Sequence, residues 1–106
     1  MSREKTVDEV REDFLQHIRT LVNYWDEVGE PDAPKTQKER LAGLAFSIMV
    51  TLDGGAGDQP GYVVAPISAE GDKEWYIQQG EDYYADLDED SIKCDIAGYL
   101  HELLKI

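Results

Sequence analysis

Cysteine, histidine and clustered carboxylates are the side chains of this sequence with reactive potential, and their spacing decides what chemistry is open to them. Cys94 and His101 are seven residues apart. On one helix they would share a face but stand two turns, about 10 Å, apart along the axis. That is too far for a thiolate–imidazole pair. His17 is the only other histidine, so a zinc site would lack its further soft ligands. Cys94, the single cysteine, is expected to be a small half-buried side chain, and no disulfide can form within the chain.

Asp86-Leu87-Asp88-Glu89-Asp90 places carboxylates at alternate positions, as calcium loops do. The pattern then fails. Its sixth position, which needs glycine, is Ser91, and its twelfth, which needs a bidentate glutamate, is Ala97. These acids fit the start of a helix, where the dipole favours negative charge. Gly54-Gly55-Ala56-Gly57-Asp58-Gln59-Pro60-Gly61 invites comparison with a phosphate loop, but it follows a helical pattern and leads into an extended one. A phosphate loop has the opposite order and ends in a Lys-Ser/Thr pair that is absent here. The sequence therefore implies no cofactor, no metal and no catalytic residue.

The charge bounds the partners. Ten Lys and Arg stand against 23 Asp and Glu, a formal net charge of −13 on 106 residues. Residues 61–106 hold 11 acids and 3 bases, a balance of −8. Such a chain repels nucleic-acid backbones and anionic membranes and attracts basic protein surfaces. With 42% hydrophobic residues, two Trp and six Tyr, the acidity overlies a foldable pattern and does not mark disorder. The start of the chain lacks the apolar core of a secretory signal, and Leu41 to Leu52 is too short to span a bilayer. A cytoplasmic location is the expectation.

The elements that must position these groups read as follows. Thr6-Val7-Asp8-Glu9 is a capping box, and Val7, Val10, Phe14, Ile18, Leu21, Val22, Trp25 and Val28 form one helical stripe, stopped by Gly29 and Pro31. Thr36-Gln37-Lys38-Glu39 is a second capping box. Leu41, Leu44, Ala45, Ile48, Met49 and Leu52 follow, ended by Asp53-Gly54-Gly55. The spacing then changes to two, predicting strands over 62–67 and 74–79 joined as a hairpin, with a short third strand near 83–87. Ile92, Ile96, Leu100, Leu103 and Leu104 predict a third helix over 90–104, with Gly98 set for close packing. The expected fold is a single α+β domain over 1–106: three helices packed on a small antiparallel hairpin or three-stranded sheet, order α-α-β-β-(β)-α, with residues 1–5 disordered. Phe14, Ile18, Leu44, Ile48, Trp75, Ile96 and Leu100 are its expected core.

In such a hairpin both faces of the first strand are apolar, and the helices protect one. Tyr62, Val64 and Tyr76 then belong to a contact surface. It continues through Tyr83, Tyr84, Asp86, Asp88, Glu89 and Asp90, where aromatics interleave with acids. Coverage by the Tyr-rich segment itself is the equal alternative.

Lys38 to Ile48 leading to Leu52-Asp53-Gly54, together with Asp95 to Leu103, resemble small uncharacterised acidic proteins of bacteria and their phages. The resemblance covers about a third of the chain and two helices. It implies a shared fold there and transfers no activity or residue role.

The reading that follows is a non-enzymatic acidic protein-binding domain. Its partner is a protein with a basic surface or a second copy in a homodimer, with no direct nucleic acid and no membrane. Its sharper form is a decoy in which carboxylates stand in for phosphates and occupy the groove of a basic nucleic-acid-binding protein. The alternatives are a ligand-binding protein or enzyme with a pocket near the Gly-rich loop 53–61, and a passive acidic domain whose charge keeps it in solution.

Overall fold

Two threonines start the two long helices. In a computed structural model that describes residues 2–28, 35–85 and 92–106, the Thr6 hydroxyl accepts from the Glu9 backbone N–H at 3.2 Å, and the Glu9 carboxylate accepts from the Thr6 N–H at 3.0 Å. Thr36 and Glu39 repeat the exchange at 3.1 and 3.3 Å. Each pair satisfies backbone donors that a helix start leaves open, so α1 spans Val7–Glu27 and α2 spans Gln37–Leu52. Arg3 clamps Glu9 through two contacts of 2.7 Å, and Lys5 reaches Asp13 at 2.9 Å. The Arg3 contact and then the Thr6 N–H hold Glu9 down at a pKa of about 2. Glu39 is lowered in the same direction by the Thr36 backbone.

Helices α1 and α2 pack against each other along small residues of α2. The Trp25 ring lies flat on Gly43, and its indole N–H donates to the Ser47 hydroxyl at 2.8 Å. One turn further, His17 meets Thr51 at 2.9 Å. Gly43, Ser47 and Thr51 are spaced by four and form the α1-facing edge of α2.

Past α2 the expected sheet is absent. Among the described residues 52% are helical and none is in a strand, which overturns the α+β fold and its hairpin. Residues 61–69 form neither helix nor strand. The segment predicted as the second strand is instead a helix, α3, Asp72–Gln78. Its start is fixed locally. The Asp72 carboxylate accepts from the Ala69 N–H at 2.9 Å, Gly71 takes a φ of 88°, and Asp72 and Glu74 sit in the first turn. The apparent alternation in Glu74-Trp75-Tyr76-Ile77-Gln78 is too short to tell a strand from one turn of helix. Of the third strand, residues 83–85 form no strand, and 86–87 lie outside the described residues.

The third helix is reduced to α4, Leu100–Leu103. Gly98 at φ 118° interrupts the chain just before it, a conformation that side-chain-bearing residues avoid. Helix α4 packs on α2.

The expected core also fails. Among the described residues no hydrophobic side chain is fully buried; the one fully buried residue is Thr51. Phe14, Ile18, Leu44, Ile48 and Leu100 are half-buried, while Trp75 and Ile96 are each 54% exposed. The chain presents 8602 Å² to solvent, where a compact 12.0 kDa monomer presents roughly 6,000 Å². Its radius of gyration is 18.3 Å, against about 13 Å for a compact domain of this length. With extents of 58 × 47 × 19 Å it is a flat, open plate of helices and irregular chain. No helix among the described residues is long and apolar enough to cross a membrane.

Candidate functional site

The sequence-predicted contact surface falls into two separate places. Tyr62 sits beside α1, and Val64 is tied to residues 95 and 96. The Tyr62 ring meets Phe14 edge-on at 5.2 Å, and its hydroxyl donates to Gln59 at 2.8 Å. The Val64 N–H donates to Asp95 Oδ1 at 2.9 Å, and its carbonyl accepts from the Ile96 N–H at 2.7 Å. These two residues are half-buried structural ties. The expectation that a hairpin exposes them beside Tyr76 is overturned along with the hairpin.

Tyr76, Tyr83 and Tyr84 do come together. Helix α3 places Tyr76 edge-on to Trp75 at 5.1 Å, and the irregular chain that follows brings Asp82, Tyr83 and Tyr84 to line a shallow cleft of about 220 Å³ with it. Tyr83 and Tyr84 are 49% and 57% exposed. The Lys73 ammonium lies 5.3 Å from the Tyr83 ring centre, within cation–π range. Asp86, Asp88, Glu89 and Asp90 lie outside the described residues.

Beside the Gly-rich loop, a polar pocket of about 350 Å³ is lined by Lys5, Asp13, His17, Asp58 and Tyr62 among others. Thr51, His17 and Asp58 run in the order hydroxyl, imidazole, carboxylate. The hydrogen bonds fix their roles. The Thr51 hydroxyl donates to the Ser47 carbonyl at 2.9 Å, so at the 2.9 Å contact His17 Nε2 must be the donor to Thr51 Oγ1. Nδ1 then faces Asp58, 3.8 Å away. An imidazole donating to a hydroxyl that is itself fully buried cannot activate it as a nucleophile. The group is a polar tie between α1 and α2.

A second imidazole is held by a buried carboxylate. The Asp53 side chain, 1% exposed, accepts from the Gly98 N–H at 2.6 Å, from the His101 N–H at 2.8 Å and from His101 Nδ1 at 2.5 Å. Desolvation opposes its ionisation, but the His101 contacts and the backbone N–H groups of Gly98 and Leu100 outweigh it and hold the pKa at about 2. A carboxylate only accepts, so Nδ1 carries the hydrogen and Nε2 is directed outward, 3.9 Å from Glu102 and with the ring edge-on to Phe46. This is the buried-carboxylate-to-imidazole half of a catalytic relay, yet among the described residues no hydroxyl or thiol stands within reach of Nε2, and no group of three metal-ligating side chains forms. Cys94 is exposed, and the predicted helix that would align it with His101 does not exist. Asp53 instead caps the four-residue α4 from another element.

Sequence reading missed all four polar partners, which are 34 and 48 residues apart. Asp53 reads locally as a helix stop and Thr51 as a break in an apolar run. No protein-family model, curated protein or solved structure matches this chain.

Proposed function

We propose that this chain is a non-enzymatic, acidic protein-binding domain that acts in the cytoplasm on a partner with a basic surface. The reading is supported above all by the cleft of Tyr76, Tyr83, Tyr84 and Asp82, where exposed rings stand among carboxylates in the half of the chain whose balance is −8. The Lys73 ammonium over Tyr83 supports this reading, because a partner's cation can be drawn by carboxylates and held against a ring in the same way. A basic nucleic-acid-binding groove, which the chain would occupy as a decoy, is the partner this chemistry suits best. The two ordered histidines favour this reading over an enzyme, because each is engaged in holding helices together.

The test is a pull-down from native extract with the full chain at low and high salt, set beside a Tyr83→Lys/Tyr84→Lys variant. A basic partner retained at low salt, released at high salt and lost on the variant supports the proposal. A partner indifferent to both salt and variant sinks it.

A further inference from the structure

We propose that the cleft of Tyr76, Asp82, Tyr83 and Tyr84 is selective for arginine: it takes one guanidinium side chain of the basic partner in preference to a lysine. This selectivity rests on the basic-partner reading and names the side chain that decides the contact.

The cleft is built by a local turn. At the end of α3, Gly80 stands at a φ of 70° and its N–H donates to the Ile77 carbonyl at 3.1 Å, while the Glu81 N–H donates to the Tyr76 carbonyl at 2.9 Å. This pair of bonds is the Schellman ending of a helix, which needs a residue in the left-handed region. The turn carries Asp82, Tyr83 and Tyr84 back to the cleft that they line with Tyr76. Tyr76 is itself set by its edge-on contact with Trp75. Rings placed before a partner arrives lose less freedom when it binds.

Size and charge choose the occupant. At about 220 Å³ the cleft is smaller than the roughly 300–1,000 Å³ of small-molecule sites, so it suits the head of one side chain. Residues 72–84 hold four acids and one base, so that head is a cation. The one base, Lys73, lies over Tyr83 but does not line the cleft, which stays open. Ring faces beside a carboxylate then discriminate between the two basic side chains. A guanidinium is planar and weakly hydrated, stacks on an aromatic face, and meets a carboxylate through two parallel N–H bonds. A lysine ammonium is a compact, strongly hydrated point charge without that fork. Tyr83 and Tyr84 are exposed and offer the faces, and Asp82 brings the carboxylate to the same cleft.

Labelled octa-arginine and octa-lysine peptides, equal in charge, test this when titrated with the full chain at low salt and followed by fluorescence anisotropy. Charge draws both peptides, and carboxylates elsewhere also favour arginine, so the diagnostic quantity is the change in the ratio of the two Kd values. The parent should bind octa-arginine about 5-fold tighter or more. Tyr83→Leu/Tyr84→Leu keeps the charge and should erase most of that difference while leaving octa-lysine binding unchanged. Gly80→Ala strains the turn and should lower the ratio in the same direction. Tyr99→Leu, at an exposed tyrosine outside the cleft, should leave it alone. Asp82→Asn replaces the double variant should the latter lose circular dichroism, set against Asp58→Asn, an equal charge change at another exposed carboxylate. A parent that binds both peptides equally, a ratio unmoved by the cleft variants, or one lowered as much by a control overturns the arginine cleft. Salt-sensitive binding of both peptides would in that event leave the basic-partner reading standing. Binding of neither peptide at low salt removes both.

Discussion

The Trp25 ring lies on Gly43 so closely that a Cβ there would fall 2.5 Å from Cη2 and 2.6 Å from Cε3. This contact sets the α1–α2 distance. The ring cannot slide away without giving up its 2.8 Å hydrogen bond to Ser47.

Gly43→Ala is accordingly expected to destabilise the protein, although alanine is the better helix former by about 1 kcal/mol. Overpacking costs about 1–3 kcal/mol and the strained indole contact adds about 1 kcal/mol. Chemical unfolding measures the sum. Adding Trp25→Leu to Gly43→Ala should recover part of the loss. A single variant as stable as the parent would show that the helices do not meet through this glycine.

Thr51 is fully buried, donates to Ser47 and accepts from His17. Thr51→Val keeps the shape and strands the His17 Nε2–H, so a loss of about 1–3 kcal/mol is expected. Thr51→Ser retains both bonds and should cost less, near the value of one buried methyl group at about 0.8 kcal/mol. Equal costs for the two variants would remove the hydrogen bonds from the explanation.

Asp53 couples the carboxyl-terminal segment to pH. Its folded pKa of about 2 lies below the ordinary 3.8, so the tie is fully formed above the ordinary value and is lost as pH falls through about 2. Hydrogen exchange of the Gly98 and His101 amides should therefore be slow and level above about pH 5 once base catalysis is corrected for, and protection should fall on acidification. Asp53→Asn should weaken protection at neutral pH and flatten this dependence. Amides as well protected in the variant as in the parent would rule out the tie.

The net charge of −13 predicts no binding to DNA or RNA, because phosphate contacts dominate such affinity. In a low-salt gel shift without divalent ions, free nucleic acid should stay unshifted at micromolar protein. A shift under those conditions would contradict the acidic-face reading.

By itself the sequence determined what depends on neighbours a few residues away. Thr6 and Thr36, each three residues before a glutamate, mark the starts of α1 and α2 at the residues where the helices begin. The acidity of residues 61–106 is a property of composition alone. Tertiary structure decided the rest. Glu74 to Gln78 suits a strand or a helical turn equally, and with no neighbouring strand to pair with, the Gly71–Asp72 turn tips it into α3. Ile92 to Leu104 has a helical stripe, yet the Asp53 carboxylate, 45 residues from Gly98, takes that glycine's N–H and the His101 N–H. Those contacts hold the chain in a turn and leave one short helix. The candidate cleft was legible only as a composition of tyrosines and acids, because bringing Tyr76 to Tyr83 and Tyr84 requires the bend after α3. Whether an apolar stripe becomes core or surface is not written in its period, since the same spacing serves a helix covered by its own chain and one left open. Here, among the described residues, only α1 and α4 pack on α2, and the stripe from Leu41 to Leu52 ends half-buried at Leu44, Ile48 and Leu52 and exposed at Leu41.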